Sequence, residues 1–561
     1  MSTADAATEP SFPHCGWRLA AFEVFWIFLI FFLFAGTLPP DVGESHYLVK
    51  AKHYWQPSWC AGDLFLESRD AHAAFYWTFG WVTKIASLSA TAWIGRAVTW
   101  LLLAWSWQRL SWAIVPKPLL SLLTAGLMLL LMRHFHLAGE WVVGGVEAKG
   151  FAYVLVFLSL EAIARDRWRT ALILAGAAGA FHVLVGGWTV LAIGFAWLVS
   201  GKARPRLVSL APAAALGFLL ALPGLIPALT LNAGVPKDVA HEAARIYVFE
   251  RLAHHLVYSQ FVATNVARFQ ALVIVWAISY WLLRNEKKLT RLQHVVAGAA
   301  VLGFVGIIID QFFVIRANAL DQSPEAYQTG AASLLRYYWF RMSDSLVPLG
   351  MAFAVVQAIQ NLSRSRPQLA IWLGMATVVL AMGNLVETYY QRRQLPVPPA
   401  ILQPQPTSDL RPERKSGTAA ASRLRAGEWF THWQAICDWV ARETPPDALF
   451  LTPRDQQTFK WYAGRPEIVT RKDVPQDAQG LVEWKRRLEE VYPRDAEHQR
   501  HDLAAFSDAE LVQIARKYGA RYVLIDHSRA TRRINLPRVY AVPEGPNPAF
   551  VIYLVPDSSA P

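Results

Sequence analysis

Apolar residues in this chain gather into long unbroken runs up to about residue 390, and into short periodic segments beyond it. The first run, residues 17–38, is roughly 22 residues long, close to the ~20 that a helix needs to cross a bilayer core. Comparable runs recur at 90–115, 118–135, 151–164, 170–182, 187–200, 207–231, 268–283, 295–314, 338–360 and 368–389. They predict about eleven membrane-crossing helices. The two short runs around His182 read equally as one re-entrant hairpin. Residues 71–88, with Trp77, Trp81 and Lys84, read as a helix along the membrane interface, with a full crossing as the alternative. A cleaved signal peptide fits the first run poorly, because Pro39-Pro40 stands where small residues would be needed.

After residue 390 the pattern changes. Residues 391–425 carry Pro396, Pro398, Pro399, Pro404, Pro406 and Pro412 among polar positions, the composition of an extended linker. Residues 426–561 then show the periodicity of a small α/β unit, about 135 residues and large enough for its own core. Helices are predicted at 428–443, stopped by Thr444-Pro445-Pro446, and at 483–491 and 508–518, with Gly519 as a C-cap. Strands are predicted at 448–452, 522–526, 539–542 and 550–555. The predicted organisation is a polytopic α-helical membrane domain over 1–390, a linker, and a C-terminal domain.

Composition supports a membrane solvent. Of 561 residues, 54% are hydrophobic and 17% charged, and 24 Trp with 29 Phe exceed what a soluble core uses. The net charge of +12 matters chiefly by where it lies. Arg109 and Lys117, then Arg165, Arg167 and Arg169, then Lys202, Arg204 and Arg206, then Arg284, Lys287, Lys288 and Arg291, and finally Arg364 and Arg366 fall on one side if 71–88 does not cross. The positive-inside rule makes that side cytoplasmic and puts the C-terminal domain outside, in a multi-pass protein of the inner membrane. No nucleic-acid partner is implied. Three cysteines offer neither zinc spacing nor a disulfide framework, although a Cys60–Cys437 bridge is open if both lie outside the cytoplasm.

The outer connections are acidic and mixed where the inner ones are basic. Pro39-Pro40-Asp41-Val42-Gly43-Glu44-Ser45-His46-Tyr47 follows the first crossing. Gly139-Glu140-Trp141 leads through Gly144-Gly145-Val146-Glu147-Ala148-Lys149 into the fourth crossing, and His182 lies at the tip between two short ones. Arg245 lies in a third loop, and Arg336 and Arg341 flank an aromatic stretch before the tenth crossing, with Asp344 one turn from Arg341. Ionisable groups at such positions are costly unless paired or functional.

A first helix ending in an acidic loop, many irregular crossings and a C-terminal extracytoplasmic domain together resemble the GT-C superfamily of membrane glycosyltransferases. Gly43-Glu44-Ser45-His46-Tyr47 is similar to the Asp-Glu-x-His-Phe/Tyr signature of its protein mannosyltransferase branch. Glu44, His46 and Tyr47 match; Gly43 stands where that signature has its Asp. The resemblance implies transfer of a sugar from a polyprenyl-phosphate carrier to a lipid, glycan or protein acceptor at the outer face. The catalytic base is then divided between Asp41 and Glu44, with Glu44 favoured and His46 as its partner or a phosphate contact. Glu140, Glu147, Lys149, His182, Arg245, Arg336 and Arg341 are the expected substrate-binding residues. Lys149, Arg245, Arg336 and Arg341 are the candidates to hold the leaving lipid phosphate. Some members use a divalent cation and others do not; Arg133, His134, His136, Glu140, Glu44 and His46 lack spacing that compels one. Two rivals stand beside this reading, a transporter and a non-catalytic scaffold. The charges cluster at helix ends rather than mid-membrane, with Asp310 the nearest exception.

Overall fold

The computed structural model describes residues 16–321, 323–394, 397–401, 419–493, 503–526, 533–540, 547 and 549–556. Each predicted apolar run is a helix: Trp17–Ala35, Leu88–Ile114, Leu120–His134, Ala148–Ala164, Trp168–Phe181, Val183–Val199, Leu207–Thr230, Ala263–Leu282, Lys287–Ala319, Arg341–Ser365 and Pro367–Arg393. Six of them, the first and the last five, are long and apolar enough to cross a membrane. Their surroundings differ sharply. Only 17% of the Leu207–Thr230 span is covered by protein, against 78% of the Arg341–Ser365 span. The first needs lipid to cover it, and the second is the axis of the bundle.

Two elements depart from the sequence expectation. Residues 71–88 form a six-residue helix, Ala73–Thr78, and a 3₁₀ turn, Gly80–Lys84, rather than one interfacial helix. The break falls where Thr78 and Thr83 hydroxyls bond back to the backbone carbonyls of Ala74 and Gly80. The acidic stretch is not all loop either. It turns helical at Glu44 (Glu44–Trp55), whose first-turn carboxylate suits a helix N-terminus.

Two buried carboxylates inside the bundle find local donors. Glu23, fully buried, accepts from Gln108 Nε2 (3.1 Å), Trp112 Nε1 (2.6 Å) and the Leu119 amide (2.7 Å). Asp310 accepts from the Ser259 amide at 2.8 Å, pinning a short turn against its helix. The basic connections meet one another at one end: Arg109 and Arg165 share Glu161, Arg291 pairs with Asp166, and Asn361 bonds Glu286. The acidic connections gather at the opposite end.

Beyond the bundle, β1 (Phe450–Leu451), β2 (Tyr522–Asp526), β3 (Arg538–Tyr540) and β4 (Phe550–Leu554) form a sheet in the order β1-β2-β4-β3. β1 and β2 are parallel; β4 is antiparallel to both its neighbours. Alternation along β2 and β4 sends Val523, Ile525, Val551 and Tyr553 to one face, against the Ala478–Val491 and Asp508–Tyr518 helices. Tyr522, Leu524, Phe550 and Ile552 face the other, against the Ala419–Glu443 helix. Helix Asp508–Tyr518 is bounded by a Ser507/Glu510 capping box and by Gly519 at φ 77°. Part of the Pro-rich stretch, 395–396 and 402–418, lies outside the described residues; helices take up its two ends, and 397–401 pack on the C-terminal domain. Cys60 and Cys437 are buried and free.

Candidate functional site

The Arg341–Ser365 helix organises the acidic end of the bundle. One turn into it, Asp344 accepts from the amides of Leu137 (2.7 Å), Ala138 (2.8 Å) and Glu140 (3.2 Å). Sequence spacing pairs Asp344 with Arg341; the structure spends it on this loop instead, which leaves Arg341 for Glu140 at 3.1 Å. Arg341 also lies over the Tyr338 ring, 4.2 Å from its centroid, and donates to His182 Nε2 at 2.7 Å. Burial and the Arg341 guanidinium hold the His182 pKa well below its ordinary value, so the ring is neutral and able to accept.

Glu140 continues the chain of charges. Its other oxygen lies 3.5 Å from Lys149 Nζ, which is 3.8 Å from Glu147 and 3.6 Å from the Trp141 ring centroid. Glu140, Lys149, Tyr338 and Arg341 line a cavity of about 170 Å³ with Gly139, Trp141, Leu252 and His255. The His255 ring is held by the Ala138 carbonyl, and burial pushes its pKa down to about 3. The lining pairs aromatic faces with hydrogen-bonding groups of both signs, which suits a hydroxyl-rich ligand.

The motif stretch stands at the edge of this cluster. Glu44 is fully buried, and both its oxygens are taken: Oε1 by Arg96 Nε (2.6 Å) and the Val146 amide (2.9 Å), Oε2 by Arg96 Nη2 (2.6 Å) and the Asp41 amide (2.7 Å). This is a buttress joining three segments. Asp41, half-buried, accepts from the Gly145 amide at 3.1 Å. Gly145 is needed there, since a Cβ would fall 2.7 Å from the Asp41 Cβ. A Cβ on Gly43 would fall 1.6 Å from Glu147 Oε1. The Glu147 carboxylate therefore fills the space that a side chain at position 43 would take. Burial pushes its pKa up to about 7, against Lys149 and with help from Asp41 and Glu140.

Asp41, Glu44, Glu140, Glu147, Lys149, His182 and Arg341 thus come together from four separate segments. Three candidates lie elsewhere. Arg245 pairs with Glu242 (2.7 Å) and Glu250 (3.0 Å). Arg336 rests on the Tyr337 ring. His46 packs on Phe65 at 4.4 Å between ring centroids, and burial beside His72 and Lys50 pushes its pKa down to about 3. The sequence did not single out Arg96, His72, His255 or Arg392. Arg96 sits mid-run in an apolar helix, the signal that a buried carboxylate partner was needed.

A divalent cation does not fit this arrangement. Among the described residues no three His, Cys, Asp or Glu side chains are placed to hold one. Lys149 stands between Glu140 and Glu147, Arg341 holds the other Glu140 oxygen, and Arg133 and His134 turn to Asn384 (3.0 and 3.2 Å).

Residues 431–491, in the C-terminal domain, match a family described as a domain of unknown function, DUF6798. No curated protein matches the chain. Among solved structures it is similar to the Archaeoglobus fulgidus oligosaccharyltransferase in its apo form, at 12% identity and TM-score 0.46, covering 91% of this chain and 69% of that one. It is similar to the same protein in complex with zinc and sulfate, at 12% identity and TM-score 0.43, covering 91% and 68%. A third is the archaeal oligosaccharyltransferase AglB from Archaeoglobus fulgidus with an inhibitory peptide and a dolichol-phosphate, at 10% identity and TM-score 0.44, covering 91% and 69%. At those scores the likeness assigns neither family nor activity to this chain.

Proposed function

We propose that this chain is a membrane glycosyltransferase that moves a sugar from a polyprenyl-phosphate carrier to a lipid, glycan or protein acceptor at the extracytoplasmic end of the bundle. The observation that carries the reading is Glu147, whose carboxylate stands in the space that Gly43 leaves open, beside Asp41 and 3.8 Å from a cavity-lining lysine. In the reaction, the bond from the sugar C1 to the carrier phosphate breaks with its electron pair on the phosphate. The acceptor's bond to C1 forms, and its proton passes to Glu147. A carboxylate held near neutrality is matched to that task. Asp41 is the alternative base, and Glu44, itself held by Arg96, fixes the backbone of both carboxylates by accepting from the Asp41 and Val146 amides. Lys149 and Arg341, each half-neutralised by Glu140, fit sugar hydroxyls better than a free phosphate.

Glu147→Gln keeps shape and removes the proton acceptor. Transfer from a polyprenyl-phosphate sugar should fall about 10²–10⁴-fold with the fold intact. Unchanged transfer would pass the role to Asp41. A scaffold is the second reading, favoured by the mutual neutralisation of Glu140, Lys149 and Arg341; no transfer by the unmodified protein with any lipid-linked sugar would establish it.

A further inference from the structure

An apolar groove of about 290 Å³ runs between the Trp17–Ala35, Leu120–His134 and Pro367–Arg393 helices, walled by Trp26, Leu33, Leu123, Leu129, Ala381 and Leu385. Asn384 is the polar residue of that wall, and the Arg133 guanidinium and the His134 ring both reach it. Arg392 stands two turns beyond Leu385, at the same end, over the Phe34 ring at 5.4 Å. Its Nη1 is buried and has no hydrogen-bond partner among the described residues. Asp41, Arg133 and Arg96 are within electrostatic reach of it.

We propose that this groove is the seat of the carrier's isoprenoid chain, with the carrier's monophosphate on Arg392 beside Asp41. The polar end of the groove is cationic. A buried guanidinium donor without an acceptor is costly, and a phosphate oxygen would relieve that cost. The same position brings the phosphate next to Asp41, the alternative base, which is why an isoprenyl phosphate is preferred here to a bulk diacyl phospholipid. The assignment of the ligand rests on the glycosyltransferase reading; binding itself does not require turnover.

The test measures lipid retention by the detergent-purified full chain in native mass spectrometry, with a long-chain polyprenyl monophosphate, the matching polyprenol and phosphatidylglycerol as probes. The monophosphate should be retained about tenfold better than the polyprenol. Arg392→Gln should abolish that preference, and Arg392→Lys should keep part of it. Leu123→Trp, which fills the groove, should weaken monophosphate and polyprenol alike. Equal retention of phosphatidylglycerol, or a preference untouched by Arg392→Gln, would mean an ordinary lipid-facing furrow and overturn the proposal. Glu147→Gln separates the two readings: retention of the monophosphate with transfer unimpaired sinks only the catalytic assignment, while loss of transfer without selective retention sinks only the groove.

Discussion

At the scale of the residue, the exchange between Gly43 and Glu147 yields two predictions. Gly43→Asp places a second carboxylate into occupied space, so the variant should be destabilised, with a lower thermal midpoint in detergent. Glu147→Ala clears that space, and the double variant should regain stability and keep transfer activity; a double variant no more stable than Gly43→Asp alone would disprove the spatial exchange. The second concerns pH. Glu147 acts as a base only when deprotonated, so transfer should rise with pH and level off above about 7. Asp41 helps raise that value, so Asp41→Asn should move the inflection to lower pH, and an inflection that stays put would remove Asp41 from the site. Glu44 and His46 matched a motif, yet one is locked by Arg96 and the other packs on Phe65. A motif records residue types and spacing; it cannot record which carboxylate an arginine 52 positions away has claimed. Glu147, Lys149 and Arg341 were legible because charge at the end of an apolar run needs a reason, while Arg392 was masked among the arginines at a helix end.

At the scale of the element, the apolar runs were legible with ends off by up to eight residues, because length and hydropathy decide where a helix lies but not where it stops. Their packing was not. The Trp168–Phe181 and Leu207–Thr230 helices cross with backbones in contact: a Cβ on Gly176 would fall 2.2 Å from the Gly217 carbonyl oxygen, and one on Gly224 2.3 Å from that of Gly179. Small residues permit such approach in a membrane, where apolar side chains gain nothing by leaving lipid. Gly176→Val should therefore push the helices apart and lower the thermal midpoint, since overpacking costs about 1–3 kcal/mol or more. Gly187→Val, where a Cβ meets nothing within 4 Å, is the matched control and should not lower it. Equal midpoints for the two would show that this crossing is loose. The broken helix at 71–88 escaped sequence reading because its one marker is Gly80, a residue that helices tolerate singly.

For the whole molecule, a buried amine ties the C-terminal domain to the bundle, alongside the Lys485–Glu250 ion pair and the bonds from the Arg69 amide to Asp477 and from the Ala478 amide to Asn232. Lys460 Nζ lies 2.6 Å from Glu467, 2.6 Å from Asp473 and 3.1 Å from Asp63, all at most 3% exposed, and Trp461 packs among the residues after the first helix. Burial opposes the charge on Lys460, but Asp473, Asp63 and Glu467 outweigh it and hold its pKa raised. Lys460→Met leaves three carboxylates without their cation and should cost about 3–5 kcal/mol of docking stability, read as faster hydrogen exchange across 459–473 and 63–67. Unchanged exchange would mean that the remaining contacts hold the domain without Lys460. The partners of this lock are far apart in time as well as in sequence, since the Asp63 carboxylate and the Glu467 amide that it accepts are 404 residues apart. At ribosomal speeds of roughly 5–20 residues per second, Asp63 is made some tens of seconds before its cation exists. A nascent chain can thus assemble its helices early, yet its Asp63 carboxylate meets the complete lock only after translation has passed Asp473.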